Sequence, residues 1–253
     1  KGFNVFASSF SAFLSRAHDQ LRMAAVSSPR NNLTFCGSHS GISIGPDGVS
    51  QMGLEDIAFF RALPGSTVFY PSDAVSAKRI VELCAGENGR KIPGIKYIRT
   101  TRNGTPVIYD IKDRKEKFEA GKFKVIKESQ KDFITLIGVG ITVHESLNTY
   151  KELKKKGISA AVIDLYCVKP LDSKALADFI MNHGRKCIVA EDHYPEGGIG
   201  EAVMSALKNT PIVIEHMAVR GIPHSGTAEE LLRVQEIDSK SILNKAMEMA
   251  RGR

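Results

Sequence analysis

The chain has 253 residues, of which 42% are hydrophobic and 25% are charged, so it holds enough apolar sequence for the core of one large domain or two ordinary ones. This composition excludes a disordered chain, a collagen-like chain and a small disulfide scaffold. The formal net charge of +7 favours anionic partners. The basic residues form no stripe with interleaved aromatics, so we expect no nucleic-acid partner, and phosphorylated metabolites fit the charge at least as well.

The four cysteines are too widely spaced for a metal-binding pair or a disulfide framework, and they stand at positions 36, 84, 167 and 187. No secretory signal is visible, and no apolar run reaches the ~18 residues of a membrane-spanning helix. We therefore expect a cytoplasmic protein with no membrane partner. Because the chain begins at Lys1 rather than at a methionine, we also expect it to be a piece of a longer protein.

The first hundred residues alternate between helical and extended patterns. The spacing of apolar residues predicts helices at 9–26, 50–63 and 73–85, the last ending at Gly86, and strands at 33–36, 67–70 and 95–100. The segment 37–48, rich in glycine and serine, is predicted to be a loop. Residues 103–117 break the alternation with a glycine, a proline and a charged cluster at 112–117, which places a boundary there.

The second part repeats the alternation. Strands are predicted at 133–138, 159–165, 187–190 and 212–214, and helices at 142–156, 170–184 and 201–207, with two more near Ala228 and Ser241. Thr142 and Glu145 have the spacing of a capping box. Strict alternation of strands and helices predicts an α/β protein with two three-layer α/β/α domains and mostly parallel sheets. The predicted domains are 1–110 and 119–253, joined by a linker at 111–118.

The sequence GSHSGISIGPDGVSQ, at 37–51, follows a predicted strand, where ligands of open α/β sheets bind. His39 can move protons near neutral pH, and Asp47 can bind a sugar hydroxyl. A plain surface loop with a turn at Asp47 and Gly48 is the alternative.

Several segments together resemble the transketolase family, in its order and over nearly the whole chain. They are SSFSAF at 8–13, GSH at 37–39, IGPDGVSQM at 44–52, LED at 54–56, VFYPSD at 68–73, IRTTR at 98–102, KPLD at 169–172 and EDHYPEGGIGEA at 191–202. The resemblance implies a partial pyrimidine-binding domain at 1–110, followed by the family's C-terminal domain at 119–253.

The resemblance implies thiamine diphosphate as cofactor, with Phe10 and Phe13 packed around its aminopyrimidine ring. Helix core is the structural alternative for these two residues. The family also has an upstream domain that holds the diphosphate and a metal, Mg²⁺ or Ca²⁺, and a glutamate shortly before Phe10 that activates the cofactor. We find neither in this sequence, and we predict no metal ligands in it.

Four residues match substrate-binding positions of the family. His39 matches a catalytic histidine near the reacting carbonyl of the donor, and Asp47 matches a catalytic acid that holds a donor hydroxyl. Gln51 matches a polar residue close to the substrate, and Arg102 matches an arginine that binds the sugar phosphate. Arg99 is a weaker phosphate candidate, and a surface charge at a strand end is the alternative for Arg102.

Two features of the loops complete the pattern. The family has Glu-Asp-Gly-Pro where this chain has Pro46, Asp47, Gly48 and Val49, so Asp47 is retained in a loop that proline constrains. The glycine-rich segment 196–200 precedes a predicted helix and could bind an anion through its amides, although a tight structural turn is the favoured interpretation.

The resemblance implies part of an enzyme that moves a two-carbon ketol unit between sugar phosphates, in a homodimer, and we expect this chain to be inactive without the diphosphate-binding domain or subunit. Two related alternatives are a deoxyxylulose-phosphate synthase and a 2-oxoacid dehydrogenase beta subunit. The loop around His39 and Asp47 favours the transketolase family over both. A partner-binding module without catalysis, or the C-terminal subunit of a split thiamine-diphosphate enzyme, also stays open.

Overall fold

The computed structural model describes residues 3–86, 91–113 and 117–251. Its strands are β1 (Val5–Phe10), β2 (Asn32–Ser38), β3 (Thr67–Phe69), β4 (Gly94–Arg99), β5 (Lys124–Lys127), β6 (Ile134–Gly138), β7 (Ala160–Asp164), β8 (Cys167–Lys169), β9 (Lys186–Ala190) and β10 (Val213–Met217). Its α-helices are α1 (His18–Ser27), α2 (Asp56–Ala62), α3 (Ala74–Ala85), α4 (Ile141–Lys155), α5 (Ser173–Asn182), α6 (Ile199–Leu207), α7 (Ala228–Val234) and α8 (Ser239–Arg251). Short 3₁₀ helices cover Ser11–Ala17, Ile42–Asp47 and Val49–Gln51. None of the helices in this described part is long and apolar enough to cross a membrane.

The strands form two five-stranded sheets. The first has the order β1-β2-β4-β3-β8 and the second the order β10-β9-β6-β7-β5. All neighbours run parallel except for one edge strand in each sheet, β8 beside β3 and β5 beside β7. The predicted α/β class with mostly parallel sheets is therefore confirmed.

Helices cover both faces of the second sheet, because the buried strands carry apolar residues on both sides. In β6, Leu136 packs with Leu153 of α4 and Ile242 of α8. The next residue, Ile137, points to the other face and packs with Ile180 of α5. Layers of helices therefore lie on both sides of this sheet, as the sequence predicts.

The first sheet is covered in the same way. Tyr97 of β4 packs with Leu21 of α1 and stacks on Phe60 of α2, with 3.9 Å between ring centroids. The next residue, Ile98, packs on the opposite face with Ile80 of α3. The cluster around Tyr97 also includes residues of α5, α6 and β9, so the two sheets share one core.

The two parts of the chain interlock at β8. This strand comes from the second part but pairs with β3 at the edge of the first sheet. Its Lys169 donates hydrogen bonds to the carbonyls of Arg61 (2.8 Å) and Leu63 (2.6 Å), where α2 ends. A cation suits the negative end of a helix dipole, so Lys169 ties the second part to α2.

Several boundaries differ from the sequence prediction. The predicted helix 9–26 begins at residue 18, because Phe10 ends the parallel strand β1 and a 3₁₀ turn follows it. The predicted helix 50–63 shrinks to α2, because a separate 3₁₀ turn covers Val49–Gln51 and the carbonyl of Gly53 accepts from the amide of Gly41 instead of from a later turn of a helix. Strands β1, β5 and β8 were not predicted. Of the predicted linker 111–118, residues 114–116 lie outside the described residues, as do the chain ends at 1–2 and 252–253.

One predicted cap is present and one is wrong. Gly86 ends α3 in the left-handed conformation, as the sequence predicts, and the structure shows in addition that Asp73 caps the start of α3 by accepting from the amide of Ser76 (2.7 Å). Helix α4 has no capping box, because Thr142 donates instead to the carbonyl of Ala190 (2.6 Å). The carboxylate of Glu145 accepts from a distant amide at the start of α8 rather than reaching back to Thr142.

A buried carboxyl group also joins the two parts. Asp164, at the end of β7, accepts hydrogen bonds from the hydroxyls of Ser72 (2.5 Å) and Tyr109 (2.7 Å) of the first part. Its side chain is fully buried, and this burial raises its pKa to about 7, although both hydrogen bonds act in the opposite direction. Burial therefore keeps the carboxyl group of Asp164 mainly protonated below neutral pH.

This pKa gives a prediction about stability. Because the pKa of Asp164 is higher in the folded chain than in the unfolded chain, the fold binds an extra proton between about pH 4 and pH 7. The free energy of unfolding should fall as the pH rises through this window, by up to about 4 kcal/mol from this group. In Asp164→Asn the fall between pH 5 and pH 8, measured by urea denaturation, should be smaller. Part of it should remain, because burial raises the pKa of Asp192 to about 7 as well.

The matched control is Asp178→Asn, which removes an exposed carboxylate that pairs with Lys174 at the surface. Its pH dependence should equal that of the unchanged chain. An unchanged slope in Asp164→Asn would show that Asp164 does not carry this proton.

Candidate functional site

Four parallel strands of the first sheet end along one edge. Strands β1, β2, β3 and β4 all run in the same direction, so their carboxyl ends lie side by side. In open α/β sheets this edge is where ligands bind. The six residues predicted to bind cofactor or substrate lie at β1 and its following turn, in the loop after β2, or just after β4, and they are Phe10, Phe13, His39, Asp47, Gln51 and Arg102.

Three aromatic rings form a stack at this edge. The rings of Phe10 and Phe13 lie nearly parallel, with 5.5 Å between centroids, and the imidazole of His39 stacks on Phe10 at 3.9 Å. The side chain of Phe13 is 37% exposed at the end of the stack. This arrangement offers flat apolar surface beside a side chain that can exchange protons.

His39 is held in an uncommon backbone conformation. Its φ is 56°, in the left-handed region that few residues other than glycine adopt. Its Nδ1 lies 3.0 Å from the hydroxyl of Ser38, and its ring is fixed against Phe10. Such a conformation costs about 1–3 kcal/mol and persists only where its surroundings hold it, which is common at functional sites.

A second group at the same edge is an ion pair. Arg102 Nη1 lies 2.8 Å from Asp47 Oδ1 and 3.3 Å from the carbonyl oxygen of Ile44. Both side chains are partly exposed. A cavity of about 280 Å³ adjoins Arg102, and its lining includes Thr100 and Thr101 after β4. Asp47 therefore lies beside Arg102, in the loop that contains Pro46.

Gln51 lies in the 3₁₀ turn Val49–Gln51, which packs against the turn that carries Phe13. Its side-chain nitrogen is 3.4 Å from the hydroxyl of Ser50. Gln51 therefore lies near the turn that carries Phe13, whereas Asp47 is paired with Arg102.

Arg99 has a structural role, and the prediction of a phosphate contact for it is wrong. Its side chain is fully buried, and its Nε lies 3.0 Å from the carboxylate of Asp56. Its Nη2 donates to the carbonyls of Gly53 and Asp192, both at 2.8 Å. The guanidinium also lies over the ring of Tyr70, 4.5 Å from its centroid. A group enclosed in this way cannot meet a sugar phosphate.

The glycine-rich turn at 196–200 is structural. The carboxylate of Glu191 accepts from the amides of Ile199 (2.6 Å) and Gly200 (2.9 Å), and it also contacts Nε2 of His216. The amides that begin α6 are therefore already bound to an anion of the chain itself. This confirms the interpretation of the segment as a tight turn.

Two family models match the chain. The model of the transketolase pyrimidine binding domain matches residues 1–106, and the model of the transketolase C-terminal domain matches residues 121–242. All six residues of the candidate edge lie within the first match.

Similar proteins carry the same family name. Bovine transketolase-like protein 1 is 50% identical over 240 residues, covering 94% of this chain and 39% of the bovine protein. Human transketolase is 47% identical over 238 residues, covering 94% of this chain and 37% of the human protein. The chain therefore spans less than half the length of these relatives. A split-gene transketolase, solved as an inactive beta4 tetramer, superposes with a TM-score of 0.84 at 29% identity, covering 98% of this chain and 76% of that one.

The bonds of Glu191 give a second prediction. Glu191→Gln replaces one of the two acceptor oxygens by an amide that would face a backbone N–H or the ring of His216. The free energy of unfolding, measured by urea denaturation, should fall by about 2–3 kcal/mol. The exposed Glu196→Gln in the same turn should change it by about 0.5 kcal/mol at most. Equal small effects in both variants would mean that the amides of the turn do not depend on Glu191.

Proposed function

Because the chain belongs to the transketolase family, we propose that it forms the pyrimidine-binding and C-terminal part of a thiamine-diphosphate-dependent transketolase. The complete enzyme would transfer a two-carbon ketol unit between ketose and aldose phosphates. The observation that supports this most strongly is the edge of the first sheet, which carries both an aromatic stack and an ion pair. The same edge binds ligands in open α/β sheets.

The residues present fit the aminopyrimidine half of thiamine diphosphate. Phe10 and Phe13 present flat rings, and Phe13 is partly exposed, so a planar heterocycle can pack against them. When bound, the cofactor supplies the carbon nucleophile that attacks the donor carbonyl. Among residues 3–86, 91–113 and 117–251, no three His, Cys, Asp or Glu side chains are placed to hold a metal ion. We propose that Mg²⁺ or Ca²⁺ and the diphosphate are held by the rest of the enzyme.

This chain's own residues would bind and orient the sugar. His39 would hydrogen-bond the donor near its carbonyl and move a proton there, because an imidazole gains and loses protons near neutral pH. Asp47 would accept a hydrogen bond from a donor hydroxyl, and Gln51 would contact the substrate from its turn. Arg102 would bind the phosphate, since its planar guanidinium can make two parallel bonds to phosphate oxygens.

The ion pair between Asp47 and Arg102 suits these two roles. The contacts of Arg102 with Asp47 and Ile44 use Nη1 alone, which leaves the other guanidinium nitrogens to face a phosphate. Each side chain holds its partner at the site before the sugar arrives. Less rotamer freedom is then lost on binding.

The remaining part of the enzyme would be a further domain of the same polypeptide or a second chain. The second arrangement draws support from the split-gene transketolase, of which this chain covers 76%. We also propose a cytoplasmic homodimer, in which 119–253 supports the assembly.

A chimera tests the proposed activity. We define it as human transketolase in which this chain replaces the matching segment. The chain alone, with thiamine diphosphate and Mg²⁺, should transfer no ketol group from a ketose phosphate to an aldose phosphate, whereas the chimera should. The chimera with Asp47→Ala should lose about one to two decades in turnover, the equivalent of one charged hydrogen bond. An inactive chimera that is folded, dimeric and able to bind cofactor would contradict the proposed function.

The role of Arg102 gives a further prediction. In the chimera, Arg102→Ala should raise KM for a phosphorylated ketose about tenfold, which corresponds to ~1.5 kcal/mol of lost binding. The same ketose without its phosphate should be used as before, because the lost contact is to the phosphate. Arg102→Lys should recover only part of the loss, since an ammonium group cannot make the bidentate contact.

Asp47→Ala is the control, because it breaks the same ion pair while Arg102 remains. That variant should impair both forms of the ketose. If Arg102→Ala also impaired both forms equally, Arg102 would support the loop rather than bind phosphate.

A further inference from the structure

The loop after β2 carries His39 near its start and Asp47 near its end, and residues of the second part of the chain hold its middle. The amide of Ile42 donates to Asp192 Oδ1 at 2.7 Å, and both groups are buried. Asp192 is the second residue after β9, in the second part. A carboxylate from one part of the chain therefore fixes the backbone that presents the sugar-binding residues of the other.

The fit at this contact is close. A Cβ added to Gly41 would lie 2.0 Å from Asp192 Oδ2, so the carboxylate occupies the space where any other residue would carry its side chain. Gly41 also has a φ of 79°, which favours glycine. The loop and Asp192 are thus complementary in shape as well as joined by a hydrogen bond.

The backbone of Asp192 is held in place as well. The main-chain carbonyl of Asp192 accepts from Arg99 Nη2 at 2.8 Å, and Arg99 is bound in turn to Asp56. Apolar contacts surround the polar one, since Ile42 belongs to the same buried cluster as Leu231 of α7. The loop therefore rests on a rigid surface of the second part.

We propose that Asp192 is a positioning residue for the candidate site, which sets the places of His39 and Asp47 by binding the loop between them. This inference rests on the proposed function. It gives the second part of the chain a direct influence on donor binding. It also means that Asp192, in the segment 191–202, supports the loop and does not contact the sugar.

Three variants separate this role from a general loss of stability. Asp192→Ala removes the acceptor, and Asp192→Asn keeps an oxygen that can accept from the amide of Ile42. The control is Asp132→Ala, which removes another buried carboxylate of the second part, bound to the amide and hydroxyl of Ser129 and far along the chain from the loop.

The first measurement is amide hydrogen exchange on the full chain. The amide of Ile42 should exchange about tenfold faster or more in Asp192→Ala, and Asp192→Asn should recover most of the protection. Asp132→Ala should leave this amide unchanged. An unchanged Ile42 in Asp192→Ala, or an equal change in Asp132→Ala, would overturn the proposal.

The second measurement is kinetic and uses the chimera. Asp192→Ala should lower kcat/KM for a ketose phosphate about tenfold or more while the affinity for thiamine diphosphate is unchanged, because Phe10 and Phe13 lie on a different segment. Equal kcat/KM in Asp192→Ala and Asp132→Ala would overturn the positioning role. If the unchanged chimera transferred no ketol group, the proposed function would fail, and the exchange of Ile42 alone would decide whether Asp192 holds the loop.

Discussion

Both the fold and the candidate site depend on the contacts that the buried guanidinium of Arg99 makes. Arg99 is the last residue of β4. Its guanidinium pairs with Asp56 at the start of α2 and also donates to the carbonyls of Gly53 and Asp192. Breaking a buried pair of this kind leaves one charge without compensation, at a cost of about 3–5 kcal/mol. One side chain thus joins the first sheet, the loop that follows β2 and the second part of the chain. Its contacts therefore help to fix the edge of the first sheet.

The candidate site is correspondingly divided between the two parts of the chain. The aromatic stack of Phe10, Phe13 and His39 lies at the edge of the first sheet. The loop that carries Asp47 lies instead on a surface of the second part, where Gly45 approaches the backbone of residue 226. The C-terminal part is therefore a structural support of the site and more than an appended domain.

Local patterns in the sequence predict much of this fold. Asp73 and Gly86 fix the ends of α3, and the apolar run at 33–36 identifies β2, because these signals act between neighbouring residues. Strand β8 has three residues and exists only through pairing with distant β3, so no local pattern reveals it. Arg99 and Arg102 look alike in the sequence, both at the end of a strand. Only the approach of Asp56 from another element shows that Arg99 is buried, while Arg102 remains at the surface. The resemblance supplied the candidate residues, and their division into a stack and an ion pair required the structure.

We propose that the edge of the first sheet is half of a thiamine-diphosphate-dependent sugar site. A crystal structure of the chimera with thiamine diphosphate and an unreactive ketose-phosphate analogue tests it most directly. We expect the aminopyrimidine ring to pack on Phe13 or Phe10 at about 3.5–4 Å, with the phosphate about 3 Å from the guanidinium of Arg102. A cofactor ring bound away from the aromatic stack would contradict the proposed site. So would a phosphate with no contact to Arg102 when the ketose-phosphate analogue is bound at full occupancy.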